Sequence, residues 1–229
     1  IFSYFYKNDN YKFIDFANAL TKAYEIQGTL CLGTSLNKLG YDHVFYVKIA
    51  SGSVFSYLVN KGDANAIRRT VNNILLDGPS LRAYRHFPNV GKRKSWAAAD
   101  ASKRGIELSI ISSYQDEIYE SVQNEDKWGF ETNFLDNSEL EFGKDLNNWV
   151  IQNVLFKVLF PAEFHGQSAV EAAIELSDEF NKNINNLEKV NIYTHEPAVR
   201  IISNKDILKN ASDSCLLYTS PSPRDNTGS

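Results

Sequence analysis

Methionine is absent from all 229 residues and the chain starts at Ile1, so it is expected to be an internal piece of a longer protein. Cysteine is nearly absent: of the 2 present, Cys215 opens the run CLLYTSPSPRD to Asp225, which reads as a translated sequencing-library adaptor. Residues 215–229 are left out of the fold reading for that reason. Cys31 remains, alone in an apolar run, and is expected to be a buried, inert thiol. One thiol cannot hold an iron–sulfur cluster, and no metal is expected. No apolar stretch reaches the ~18 residues of a membrane span. These absences predict a soluble protein of a reducing compartment, the cytoplasm or, in a eukaryote, the mitochondrial matrix.

What is present is concentrated in one stretch. Formal net charge is -4 and the sequence pI about 5.6, yet Arg82, Arg85, His86, Lys92, Arg93 and Lys94 crowd together with no acid between Asp77 and Asp100. Turn signals at Asp77-Gly78-Pro79-Ser80 and Pro88-Asn89-Val90-Gly91 break the block, and a helix is predicted from about Lys92 through Trp96, Ala97, Ala98, Ala99 and Ala101. The cations thus sit on a loop and a helix start, where free N–H groups add a preference for anions. Three readings stay open for these residues: a solvated basic loop, a nucleic-acid patch with Tyr84, Phe87 and Trp96 interleaved, and a small-anion site. The acidic balance elsewhere weighs against nucleic acid.

Along the chain, Phe13, Phe16, Ala17, Leu20, Ala23 and Tyr24 recur at helical spacing and predict a helix ending at Gly28. A further helical piece is predicted from about Leu30 to Leu39, closed by Gly40. Asp42 is a good N-cap for a long helix over residues 43–60, which sets His43 on its first turn, where the helix dipole disfavours a proton. Asp63 caps a helix over Ala64–Leu76. The polar stretch from Tyr114 to Gly143 is expected to hold a short helix around Glu117–Val122. Beyond residue 150 the pattern becomes strand at Val154–Phe160, helix at Ser168–Asn181 and strand at Val190–Thr194. The fold class predicted is mostly α: a large helical domain over residues 1–150, then the first part of an α+β lid domain over 151–214 and the tail over 215–229.

The run LRAYRHFPNVGKRKSWAAADASKR, with AYEIQG at Ala23–Gly28, DHV at Asp42–Val44, WGF at Trp128–Phe130, NVLFKVLFPAEFHGQSAVEAA at Asn153–Ala173 and THEPAVRII at Thr194–Ile202, resembles the MmgE/PrpD superfamily, and within it the enzymes that dehydrate 2-methylcitrate. The resemblance implies a cofactor-independent loss of water from 2-methylcitrate to give 2-methyl-cis-aconitate in propionate catabolism. It implies a chain about twice this length, a tricarboxylate as small-molecule partner, a homodimer for the full-length protein, and neither nucleic acid nor membrane as partner.

The same resemblance implies the site residues. His43 and Lys94 match active-site positions of superfamily relatives, and Glu163 stands where some relatives have a catalytic His, with His165 two residues on. These four are the catalytic candidates. Arg82, Tyr84, Arg85, His86, Arg93 and the lid-domain Lys157 are the candidates for holding carboxylates. A tricarboxylate needs several fixed cations, and dehydration needs one group free of its proton beside one that has it. For His195 and Glu196 a structural turn is the favoured reading. The family also places an Asp and a His before residue 1, so the chain by itself is expected to be inactive or nearly so. Departures occur at Tyr119-Glu120-Ser121 and Asp145-Leu146-Asn147-Asn148-Trp149, which keeps open another lyase or isomerase reaction on a di- or tricarboxylate such as cis-aconitate. A non-catalytic helical domain binding an anion or nucleic acid is the alternative of a different class.

Overall fold

The computed structural model describes residues 11–86, 89, 91–154, 160 and 162–202, the last three without their side chains. The described helices are α1 (Phe13–Gly33), α2 (Val44–Val59), α3 (Ala64–Asp77), α4 (Arg93–Ser112), α5 (Phe130–Phe134), α6 (Trp149–Gln152), α7 (Gln167–Glu175), α8 (Ser177–Asn183) and α9 (Glu196–Ile202). Two compact units divide them: residues 1–86 with 92–154, and residues 87–91 with 155–229. The mostly helical class is as expected, and no described helix is long and apolar enough to cross a membrane.

In the first unit α2 is the central element, packed against α1, α3 and α4. It is apolar nearly all round because it is surrounded: Phe45, Tyr46, Ile49, Ala50, Val54 and Phe55 are all buried. Its core partners are Leu30, Leu36, Ile74, Leu75, Leu108, Phe130 and Leu135, and Phe45 stacks on Phe130 with centroids 5.2 Å apart. Asp63 caps α3 as expected, accepting from the Asn65 N–H at 3.0 Å. The predicted piece over residues 30–39 resolves into the end of α1 and a 3-10 turn, Leu36–Leu39, which Gly40 closes at φ 83°.

Four local expectations are corrected. Helix α1 runs through Gly28 to Gly33, because Gly28 marks a close approach and not an end: a Cβ there would lie 2.7 Å from Val150 Cγ1. Buried Glu25 fixes that approach by accepting from the Asn147 and Val150 N–H groups, each at 2.9 Å. Residues 117–119 are irregular and 120–122 form a turn instead of a helix, since the next groups along bond elsewhere: Val122 O and Gln123 O accept from Phe130 N–H and Glu131 N–H at 2.9 Å. Cys31 lies on an exposed part of α1, although the groups packed around its sulfur desolvate it and push its pKa up to about 11.

The fourth correction concerns the strands of the second unit. Residues 155–159 lie outside the described residues, so most of the first predicted strand does too. Residues 190–194 pair with no strand among the described residues, and Val190, Ile192 and Tyr193 are 56%, 68% and 95% exposed. Period-two patterning forms a strand only where a partner takes its hydrogen bonds and a core covers one face. The predicted helix over 168–181 is realised as α7 and α8, separated at Leu176.

Helices α2 and α4 approach most closely where Gly52 faces Gly105, and a Cβ on Gly105 would stand 2.4 Å from the Lys48 carbonyl oxygen. In an isolated helix Gly105→Ala would gain up to about 1 kcal/mol. Here the contact is backbone, which no side-chain rotation relieves, and overpacking of this kind costs about 1–3 kcal/mol. The variant is expected to unfold at lower denaturant concentration than the parent. A higher midpoint would show that the two helices do not cross at these glycines.

Candidate functional site

The segment before α2 is pinned to the segment after α3. Tyr41 and Leu81 form an antiparallel bridge, Asp42 N–H donates to Ser80 O at 2.8 Å, and Arg82 N–H donates to Gly40 O at 2.9 Å. This pairing puts Asp42 and His43 beside the basic block 40 residues away. Val44, Ala97 and Ala101 then form a small apolar cluster with Tyr84 against it, so the first turns of α2 and α4 meet. Lys94 lies one turn before Ala97 on α4 and is half-buried.

Asp42 is the hub. It is fully buried, and both carboxylate oxygens are used: Oδ1 accepts from the Val44 N–H at 3.1 Å, and Oδ2 accepts from Arg85 Nε at 2.5 Å and from the Tyr84 hydroxyl. Helix α2 therefore starts at Val44, one residue later than expected, with His43 as its flanking residue and Asp42 still satisfying its first N–H. Burial pushes the Asp42 pKa upward, but the hydrogen bonds from Arg85 and Tyr84 and the Arg85 charge outweigh it and hold the carboxyl below its ordinary value. On Tyr84, burial first and the bond to Asp42 second push the pKa up to about 12.

His43 is 40% exposed at its side chain. Desolvation by what packs around the ring lowers its pKa most; Asp42 opposes this and the Arg85 and Arg82 charges add to it, leaving it near 4. The imidazole is thus neutral at pH 7. Arg82 Nη1 lies 3.2 Å from His43 Nδ1 and donates to Asn37 Oδ1 at 2.9 Å. Guanidinium is donor-only, so Nδ1 accepts and the His43 proton belongs on Nε2. The ring then offers an N–H, a donor to developing negative charge.

The other candidates fall in two groups. Arg93 lies over the rings of Tyr84 and Trp96, at 5.3 and 4.6 Å from their centroids, and Arg85 lies 5.2 Å from that of Tyr84. His86 is exposed at the end of the 3-10 turn Ala83–Arg85. In the second unit, Glu163 Oε2 accepts from the His165 N–H at 2.5 Å, and His165 Nδ1 is 2.9 Å from His195 Nε2. Lys157 lies outside the described residues. The sequence reading missed the reach of Asp42, whose visible signal was only that of a cap, and the contact of His195 with His165. Among the described residues no group of three or more His, Cys, Asp or Glu could hold a metal ion. A neighbouring cavity of about 270 Å3, walled by Lys48, Asp77, Asp100 and Arg104, has its main charges tied together: Lys48 Nζ donates to Asp77 at 2.7 Å and Arg104 Nη2 donates to it at 2.9 Å.

Residues 7–143 match the MmgE/PrpD N-terminal domain and residues 160–219 the MmgE/PrpD C-terminal domain. The chain belongs to the MmgE/PrpD family. Relatives within that family include the 2-methylcitrate dehydratase of Escherichia coli K12, 41% identical over 205 residues, which is 87% of this chain and 42% of the relative. The mitochondrial 2-methylcitrate dehydratase of Yarrowia lipolytica is 38% identical over 213 residues, 91% of this chain and 41% of its own. That of Cupriavidus necator is 38% identical over 205 residues, 87% and 42%. The chain thus spans about two-fifths of the length of the curated MmgE/PrpD relatives it matches.

Removing one member of a buried ion pair strands the other. Asp42→Ala is expected to cost about 3–5 kcal/mol at pH 7, because Arg85 loses its carboxylate in a largely buried setting. The folded carboxyl has a lowered pKa, so its contribution is full above the unfolded value of about 3.9 and is lost as pH falls through the folded value. Urea titrations should show the gap between parent and variant closing below about pH 4. A gap under 1 kcal/mol at pH 7, or one that persists in acid, would contradict the hub.

Proposed function

We propose that this chain is part of an enzyme that removes water from 2-methylcitrate to give 2-methyl-cis-aconitate without a cofactor. The observation that supports this best is the neutral His43, which presents Nε2–H with Arg82 at its Nδ1 and the Arg85 charge close by, while Arg93 and Lys94 stand on the first turn of α4. The Asp42 carboxylate lies among the arginines, and its oxygens are taken by Val44 N–H, Arg85 and Tyr84. Such a surface suits a polyanion with several carboxylates. The names of the MmgE/PrpD relatives point to the same substrate.

The chemistry follows from charge. Taking a proton from the carbon beside a carboxylate builds negative charge on that carboxylate, and fixed cations and N–H donors in a water-poor setting stabilise it. The electron pair of the broken C–H bond becomes the new C=C bond, and the C–O pair leaves with the hydroxyl, which takes a proton and departs as water. His43 Nε2–H fits a hydrogen-bond donor to a carboxylate or to the leaving hydroxyl and keeps its own proton; the proton that completes water is the one released from carbon, returned through the base or solvent. In the first unit Lys94 holds a carboxylate together with Arg82 and Arg85; the same role for Lys157 rests on the resemblance alone. His165, with Glu163 beside it, is the proton-accepting candidate of the second unit.

The departures at residues 119–121 and 145–149 favour a second reading, a related lyase acting on another tricarboxylate such as cis-aconitate. A nucleic-acid role is supported less, because the Tyr84 and Trp96 rings that would stack on bases already have Arg85 and Arg93 over them.

The test is to supply the full-length protein containing this chain with 2-methylcitrate and follow the conjugated double bond by ultraviolet absorbance. Turnover without added iron is expected, and Lys94→Ala should lower kcat/KM by roughly a hundredfold with an unchanged melting temperature. No turnover of 2-methylcitrate would overturn the proposal. Unchanged kinetics in the variant would remove Lys94 from it.

A further inference from the structure

The sequence reads THE at Thr194–Glu196 as a structural turn, yet the structure brings its histidine against one thirty residues earlier. His165 and His195 have ring centroids 5.2 Å apart, planes tilted by 52° and facing nitrogens 2.9 Å apart. Thr194 Oγ1 lies 3.3 Å from the remaining nitrogen of His195, Nδ1.

Both rings are set by their backbones. Glu163 holds the His165 N–H, and Gln167 Nε2 ties the preceding loop by donating to Phe160 O at 3.1 Å and Ala162 O at 2.7 Å. The His195 carbonyl accepts the Ala198 and Val199 N–H groups at the start of α9, and Ala198 is buried. The short turn Phe164–Gly166 packs against both α7 and α9. The ionisable groups on these elements are Glu163, Glu171, Glu175 and Glu196, with Arg200 outside the described side chains.

We propose that His195 is a positioning residue for His165: the line Thr194 Oγ1, His195, His165 holds the His165 proton on Nδ1 and leaves its Nε2 lone pair to take a proton from substrate. This rests on the functional reading above. The direction of the line follows from donor and acceptor counting. Once His165 has accepted a proton at Nε2, its Nδ1–H can only donate, so His195 Nε2 must accept. His195 then has its own proton on Nδ1, and Thr194 Oγ1 accepts it. The carbon-bound proton moves to His165 Nε2, its electron pair forms the C=C bond, and the C–O pair leaves with the hydroxyl; His165 then gives that proton back, directly or through solvent, to the departing hydroxide, so water leaves and the ring is neutral again. His195 itself gains and loses nothing; it stabilises the charged ring, as the partner of a catalytic base does.

Imidazole nitrogen-15 spectra of this chain test the claim without need of turnover. A free imidazole prefers its proton on Nε2, so the parent should show His165 with its proton on Nδ1 and His195→Ala should revert to Nε2–H. His195→Gln, whose side-chain oxygen can accept the same bond, should keep Nδ1–H. Both replaced positions are exposed, so folding is expected to survive; Thr194→Val is the second probe and should weaken the preference. In the full-length protein, His195→Ala should lower kcat about tenfold or more and move the acid limb of its pH profile, with KM little changed. An Nε2–H tautomer in the parent, spectra indifferent to His195→Ala, or an unaltered kcat and pH profile would overturn the proposal. Failure of the wild-type protein to turn over 2-methylcitrate would instead sink the functional reading, and the spectra would still decide the positioning.

Discussion

One buried carboxylate organises the first unit. Taking Asp42 and Arg85 out of water costs several kcal/mol per ion, and such a pair is tolerated only when its geometry repays the loss. Here it does so by tying two distant pieces of chain together: the first N–H of α2, the Tyr84 hydroxyl and the Arg85 guanidinium all end on the same side chain. The loop bearing the basic block is thereby fastened to the start of the central helix. Without that fastening a run of cations would repel itself and splay into solvent.

The consequence for chemistry is a histidine held neutral among positive charges. Desolvation of the ring disfavours a proton on His43 most, the Arg85 and Arg82 charges add to it, and together they outweigh the opposing pull of Asp42. Arg82 occupies Nδ1, which leaves N–H at the open nitrogen. A neutral donor beside cations is suited to receive negative charge as it forms, whereas an imidazolium there would add repulsion. The second unit contains a different pairing, two imidazoles and a threonine hydroxyl in line, suited to accepting a proton.

Much of this was legible in the sequence because its physics is local. Helix α3 announced itself by apolar spacing and the Asp63 cap, α4 by good helix formers with no glycine or proline before Gly105, and α2, whose pattern alone left strand and helix close, by the length of its run and the Lys61-Gly62 after it. The cation block was visible as a departure from an acidic background. What escaped was long-range. Gly28 reads as a stop because glycine ends helices, yet here it admits Val150 from far along the chain. Asp42 reads as a cap because its other partners lie 42 and 43 residues away. His195 meets His165 across 30 residues, a distance no spacing rule covers. The alternation at Val190–Thr194 was a real pattern, but a strand needs a neighbour that local sequence cannot supply.

The central claim is that desolvation of the His43 ring, helped by the Arg85 and Arg82 charges, outweighs the pull of the carboxylate beside it. Its most direct measurement is an NMR titration of the His43 ring in the folded protein. The account predicts an imidazole that stays neutral from pH 7 down through pH 5 and takes its proton only near pH 4. A midpoint at or above the ordinary histidine value of about 6.5 would mean that Asp42 governs the ring instead, and the neutral donor on which the site depends would not exist.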